Sequence, residues 1–130
     1  MKVLIVDDSA AIRERLKAMI SEIPGVEVVG EAEDGTQAIE ETKRLNPDVV
    51  VMDIKMPGMN GIDALMGIKE YRPSIIVTML TNYPYPQYRK KCMALGADYF
   101  FNKAAEFEKV REIIEKLIRE SKDQKLNIDD

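Results

Sequence analysis

The sequence contains no histidine. That removes any Ser-His-Asp or Cys-His catalytic arrangement and any histidine-ligated metal site. A metal ion here must be held by oxygen, which points to a hard cation such as magnesium. Cysteine occurs once, at Cys92, so no internal disulfide forms, as fits a reducing cytoplasm. Cys92 stands beside Met93, Ala94 and Leu95 and reads as a small buried helix residue rather than a reactive thiol. No apolar run approaches the roughly 20 residues of a membrane span. The N-terminus lacks the basic region, apolar core and cleavage site of a secretory signal, so a cytoplasmic location without membrane contact is expected. Positive charge is not in excess: 19 basic residues face 23 acidic ones, for a net charge of -4. Such a balance displaces few counterions, so direct nucleic-acid binding is not expected.

What is there describes one domain. The chain has 130 residues, 45% hydrophobic and 32% charged, as in a folded globular protein. Short apolar runs alternate with helical periodicity. Val3–Val6 reads as a buried strand, followed by Ile12, Leu16, Met19, Ile20 and Ile23 at helical spacing up to Pro24-Gly25. Val26, Val28 and Val29 give a second strand. Asp34-Gly35 opens a second helix that Asn46-Pro47 closes. Val49–Met52 form a third strand ending on Asp53, and "KMPGMNG" (55–61) is a loop before a third helix with Ile62, Leu65 and Ile68. Residues 74–80 give a fourth strand, and "TNYPYPQY" (81–88) leads into a fourth helix ending at Gly96. Tyr99, Phe100 and Phe101 mark a fifth strand. Phe107, Val110, Ile113, Ile114, Leu117 and Ile118 line a last helix. The expected domain is 1–120, with 121–130 a polar, flexible tail.

This alternation predicts an α/β fold, a three-layer α/β/α sandwich around a five-stranded parallel sheet. The flavodoxin-like strand order 2-1-3-4-5 puts the winding reversal between strands 1 and 3, outside whose carboxyl ends ligands bind. Strand 1 ends on Asp7 and Asp8, strand 3 on Asp53, strand 4 beside Thr81, and strand 5 before Lys103. Singly, each has an ordinary reading: a helix cap, a turn acid, a loop hydroxyl, a solvated amine. Together they place three carboxylates, a hydroxyl and an amine in one crevice. Clustered carboxylates share protons or hold a cation, and a bound cation attracts phosphate oxygens.

With these residues in order, the chain resembles a response-regulator receiver domain of two-component phosphorelay signalling, of the single-domain CheY-like type. The resemblance rests on "VLIVDDS" (3–9), "DVVVMDIKMPGMNG" (48–61), "LT" (80–81), "GADYFFNK" (96–103) and the last amphipathic helix. It implies that Asp53 is the phosphoacceptor for a phosphoryl group carried by a histidine on a sensor kinase or a histidine phosphotransfer protein. It implies Mg2+, or Mn2+, on Asp8, Asp53 and the backbone carbonyl of Lys55, with Asp7 acting through water. Lys103 and Thr81 would meet the phosphoryl group, and Phe100 would turn inward as Thr81 moves. Output would appear on the face of the fourth helix, fifth strand and fifth helix. The family acts as a signalling phosphoacceptor, catalysing only its own phosphorylation and slow dephosphorylation, as a monomer or a weak phosphorylation-linked dimer.

The sequence departs from the family pattern at Asn82, where a small residue is usual, and at Ala104, where a proline with a cis bond is usual. A cis bond before Ala costs about 3 kcal/mol, so Ala104 leaves the resting position of Lys103 open. Lys55 and Tyr83 stand where they could hinder an attacking water, so slow loss of phosphate is expected. Tyr83, Tyr85 and Tyr88 are candidates for the output face, since tyrosine pairs an apolar body with a polar tip. Arg89, Lys90 and Lys91 read as a solvated helix face. A haloacid-dehalogenase-type phosphatase needs a second Asp two residues after its nucleophile, and those positions hold Lys55 and Ser9. A flavodoxin-like FMN binder needs a neutral phosphate loop after strand 1, where two acids stand. A receiver fused to an output domain is the third alternative; a stand-alone receiver is expected.

Overall fold

Four consecutive apolar residues, Val49–Met52, form the central strand, and all four are buried. Nothing in them alternates because helices cover both faces of the sheet. The computed structural model describes residues 1–129, with side-chain surroundings through residue 122. Strands β1 (Lys2–Val6), β2 (Glu27–Ala32), β3 (Val49–Met52), β4 (Ile76–Thr81) and β5 (Tyr99–Asn102) alternate with helices α1 (Ala10–Ser21), α2 (Gly35–Leu45), α3 (Gly61–Tyr71), α4 (Pro86–Ala94) and α5 (Lys109–Asp129). The sheet is parallel throughout, in the expected order β2-β1-β3-β4-β5.

Successive strand residues face opposite layers. Val50, Met52, Val77, Met79 and Phe100 pack with Ala38, Leu65, Ile68 and Cys92. Val3, Ile5, Val49, Val51 and Leu80 pack on the other side with Leu16, Ile20, Val110 and Ile114. Cys92 is fully buried, and burial pushes its thiol up to about 11. It is therefore inert at neutral pH.

Side-chain caps start three of the helices. The Ser9 hydroxyl accepts from the Ile12 N–H at 3.3 Å, the Asp34 carboxylate from the Gln37 N–H at 2.8 Å, and the Asn60 carbonyl from the Asp63 N–H at 2.9 Å. Asn46 ends α2 in the left-handed conformation, φ 47°. Because Ser9 caps α1, the carboxylate of Asp8 is not spent on that role.

At its end α5 differs from expectation. The polar segment 121–130, read as a flexible tail, continues the helix to Asp129; residue 130 lies outside the described residues. Neither Pro nor Gly stands after Gly96 to stop the helix. Among the described residues no peptide bond is cis, so Lys103–Ala104 is trans.

Candidate functional site

The site residues stand one step beyond the strands that carry them, still on the ladder. The Asp7 N–H donates to the Ala32 carbonyl at 3.1 Å, the Asp53 N–H to the Val6 carbonyl at 3.1 Å, and the Lys103 N–H to the Thr81 carbonyl at 2.8 Å. The sheet thus sets where each side chain starts. β1 and β3 are neighbours, so Asp7, Asp8 and Asp53 meet at the winding reversal. One carboxylate oxygen from each lies within 4.8 Å of those from the other two.

Lys103 closes the group. Its Nζ donates to Asp7 Oδ2 at 2.6 Å and to Asp53 Oδ2 at 2.8 Å. The other oxygens are held by backbone: Asp7 Oδ1 accepts from the Ser9 N–H at 2.9 Å, and Asp53 Oδ1 from the Ile54 N–H at 2.7 Å. Lys103 and Asp53 are each 6% exposed and Asp7 2%, so the ion pairs sit largely out of water. Burial holds the Asp53 carboxyl above the usual range even though the Lys103 ammonium pulls it down. Burial also works against the charged amine of Lys103, but hydrogen bonds to Asp53 and Asp7 overcome it and raise its pKa.

Asp8 is exposed and takes part in no hydrogen bond or ion pair among the described residues. One amine therefore faces three carboxylates, a net negative site of hard oxygen donors. These donors fit Mg2+. The acids, Lys103, Lys55, Asn82 and Tyr83 line an open cleft of about 500 Å³.

The other expected residues are placed less simply. Thr81 is fully buried and does not line the cleft; its hydroxyl oxygen accepts from the Tyr83 N–H at 3.0 Å. Phe100 is buried, 4% exposed. Arg89 donates to the Phe100 carbonyl at 3.1 Å, with its guanidinium 5.7 Å from the ring centroid. The three tyrosines form a chain of rings, 6.3 Å from Tyr83 to Tyr85 and 5.8 Å from Tyr85 to Tyr88. Their surroundings differ. Tyr83 lies under the Lys55 ammonium, 4.6 Å from ring centroid to Nζ, and Tyr88 packs against the core. Only Tyr85, 50% exposed, is largely open to solvent.

Two supporting residues escaped sequence reasoning. Arg13 donates to the Asp7 carbonyl at 2.8 Å and pairs with Glu31 at 3.2 Å, so α1 and β2 together hold the strand that carries the acids. An arginine on an amphipathic helix carries no signal of that. Gly61 donates to the Ile54 carbonyl at 2.7 Å, and a Cβ there would overlap the Asp53 carbonyl oxygen. Its signal was a glycine directly after a helix cap.

Comparison with known proteins agrees with this geometry. The chain is 44% identical over 97 residues to a protein-glutamate methylesterase/protein-glutamine glutaminase of Alkalilimnicola ehrlichii, covering 75% of this chain and 25% of that protein. It thus spans about a quarter of the length of that methylesterase relative. The response regulator domain of Thermotoga maritima CheB superposes with a TM-score of 0.81 at 37% identity, over 92% of this chain and 94% of that one. A chain of the CheX-CheY-BeF3-Mg+2 complex from Borrelia burgdorferi superposes with a TM-score of 0.76 at 31% identity, over 88% and 89%. The model of the response regulator receiver domain matches residues 3–115. Sheet order, acid cluster and matched span agree: the chain belongs to the response-regulator receiver domain family.

Proposed function

We propose that this receiver takes a phosphoryl group from a phosphohistidine onto Asp53, and that the aspartyl phosphate shifts the α4-β5-α5 face toward partner binding. The observation that carries this reading is the shared amine: Lys103 Nζ lies 2.8 Å from Asp53 and 2.6 Å from Asp7. A carboxylate oxygen of Asp53 attacks phosphorus, the P–N bond breaks, and its electron pair returns to the histidine ring. The nucleophile is paired with the Lys103 ammonium, which favours its carboxylate form against the burial that raises it. Phosphoryl transfer depends on positioning and charge neutralisation, and Lys103 stands where it neutralises the transferred oxygens. Mg2+, or Mn2+, held by Asp8, Asp53 and the Lys55 carbonyl with Asp7 acting through water, supplies the remaining neutralisation when bound. Thr81 gives up its Tyr83 contact to donate its hydroxyl hydrogen to the phosphoryl group. Phe100 then reads that move from its buried position, and the balance between two states of the face shifts. Tyr85 is the exposed tyrosine of that face.

The donor is a histidine sensor kinase or a histidine phosphotransfer protein, and the target is a further protein. The chain acts as a signalling phosphoacceptor rather than an enzyme on an outside substrate. The test is phosphate incorporation with Mg2+ and a small phosphodonor. Wild type labels and Asp53→Ala does not; equal labelling of the two rejects the reading. The Lys55–Tyr83 pair over the cleft also supports slow hydrolysis of the phosphate. The Lys55→Asn, Tyr83→Ala double variant should lose phosphate faster than wild type. An unchanged lifetime removes this role.

A further inference from the structure

Lys103 has to be aimed, and the residue after it is Ala104, which brings a backbone N–H and no ring to stiffen the turn. That N–H is not idle. The Asn102 side-chain carbonyl accepts from the Ala104 N–H at 2.9 Å and from the Ala105 N–H at 3.3 Å. In return the Glu106 carboxylate accepts from the Asn102 N–H at 3.0 Å, and the Asn102 backbone carbonyl accepts from the Glu106 N–H at 2.8 Å. Asn102 lies on β5, an edge strand. Its own N–H points away from β4, since the next one, on Lys103, is the one that bonds Thr81. Four hydrogen bonds therefore close a ring around Lys103, two from the side chain before it and two between Asn102 and Glu106. The Glu106 carboxyl is held below its usual range by the Asn102 N–H and the nearby Lys109. It stays an ionised acceptor at neutral pH.

We infer that Asn102 and Glu106 are positioning residues for phosphoryl transfer, a reciprocal side-chain clamp that aims the Lys103 amine at the acid site. This rests on the phosphoacceptor reading above. Neither residue touches the phosphoryl group; both act through the loop that carries Lys103. The clamp makes a specific demand: position 102 must accept hydrogen bonds, and Asp serves where Ala does not.

The experiment compares wild type, Asn102→Ala, Asn102→Asp, Lys103→Ala and the Asn102→Ala, Lys103→Ala double variant. Two quantities are read: the initial rate of Asp53 phosphorylation by phosphoramidate, and Mg2+ affinity by calorimetry without phosphodonor. Asn102→Ala should slow phosphorylation about tenfold without weakening Mg2+ binding, because a loosened amine competes less for Asp7 and Asp53. Asn102→Asp should restore most of the rate. In the Lys103→Ala background the Asn102→Ala change should add nothing, since no amine remains to be aimed. An unchanged rate in Asn102→Ala, an equal slowing with and without Lys103, or weakened Mg2+ binding overturns the clamp. If wild type takes up no more phosphate than Asp53→Ala, the phosphoacceptor reading fails first.

Discussion

Two loops at the same edge of the sheet deliver opposite charges, and they are built in opposite ways. The β3–α3 loop delivers Asp53 by close packing. Gly61 comes so near the Asp53 carbonyl that no side chain fits, and its N–H closes the loop onto Ile54. The β5–α5 loop delivers Lys103 by exchange of polar groups between Asn102 and Glu106, both only partly buried. Packing against backbone yields little, because interiors are dense and overlap is steep. Hydrogen bonds at the surface exchange with water at small net cost. Asp53 is therefore fixed, and the amine is held but releasable. The proposed phosphoryl uptake would need that asymmetry: the amine would leave one set of oxygens and find another.

The comparison breaks most severely if the amine is removed. Lys103→Met leaves two buried carboxylates facing each other, and urea denaturation without divalent cation should show a loss of roughly 3 kcal/mol. That loss has a pH signature. The Lys103 pKa is raised in the folded protein, so its contribution is full below the ordinary lysine value of 10.5 and fades as pH rises through the raised value. The gap between wild type and Lys103→Met should hold steady from neutral pH to about 10 and close in stronger alkali.

Gly61→Ala tests the packed loop. It should cost about 2 kcal/mol, from the overlap with Asp53, and should slow phosphorylation as well because the overlap displaces the nucleophile. Stability without a rate effect would show that the loop absorbs the methyl elsewhere. Asn60→Ala removes the cap of α3 behind that loop and should cost about 1 kcal/mol, read in the same denaturation series, with a smaller rate effect than Gly61→Ala. Asp8→Asn gives the smallest change and the opposite sign. It relieves repulsion among the three acids and should add about 0.5 kcal/mol without divalent cation, while weakening Mg2+ binding in calorimetry.

Much of this site was legible before any coordinates. Asp7, Asp8, Asp53 and Lys103 could be named because each ends a strand, and strand ends are visible as the points where apolar runs stop. Three things were not readable. Thr81 turns its hydroxyl oxygen to the Tyr83 N–H rather than to the cleft, a choice that depends on the path of the loop that carries Pro84 into α4. The tyrosines share one residue type and one short segment, yet one lies beneath a lysine, one packs on the core and one stands in solvent. Arg13 reaches Asp7 across a loop, and nothing in its neighbours distinguishes it from any arginine on a helix.

By itself the sequence determined the layer pattern, the sheet order and the list of residues at the carboxyl edge. Short apolar runs and period-3.6 repeats are local, and a parallel sheet with right-handed crossovers leaves few arrangements for five alternating pairs. Only the tertiary structure decided which oxygens the lysine holds, that Asp8 is the one of the three acids it does not hold, and that Asn102 and Glu106 grip the loop where Ala104 stands. Those outcomes depend on distances of 2.6 to 3.3 Å between groups up to 96 residues apart in the chain. Spacing along a sequence does not carry such distances. They arise when the strands pair and the loops between them close.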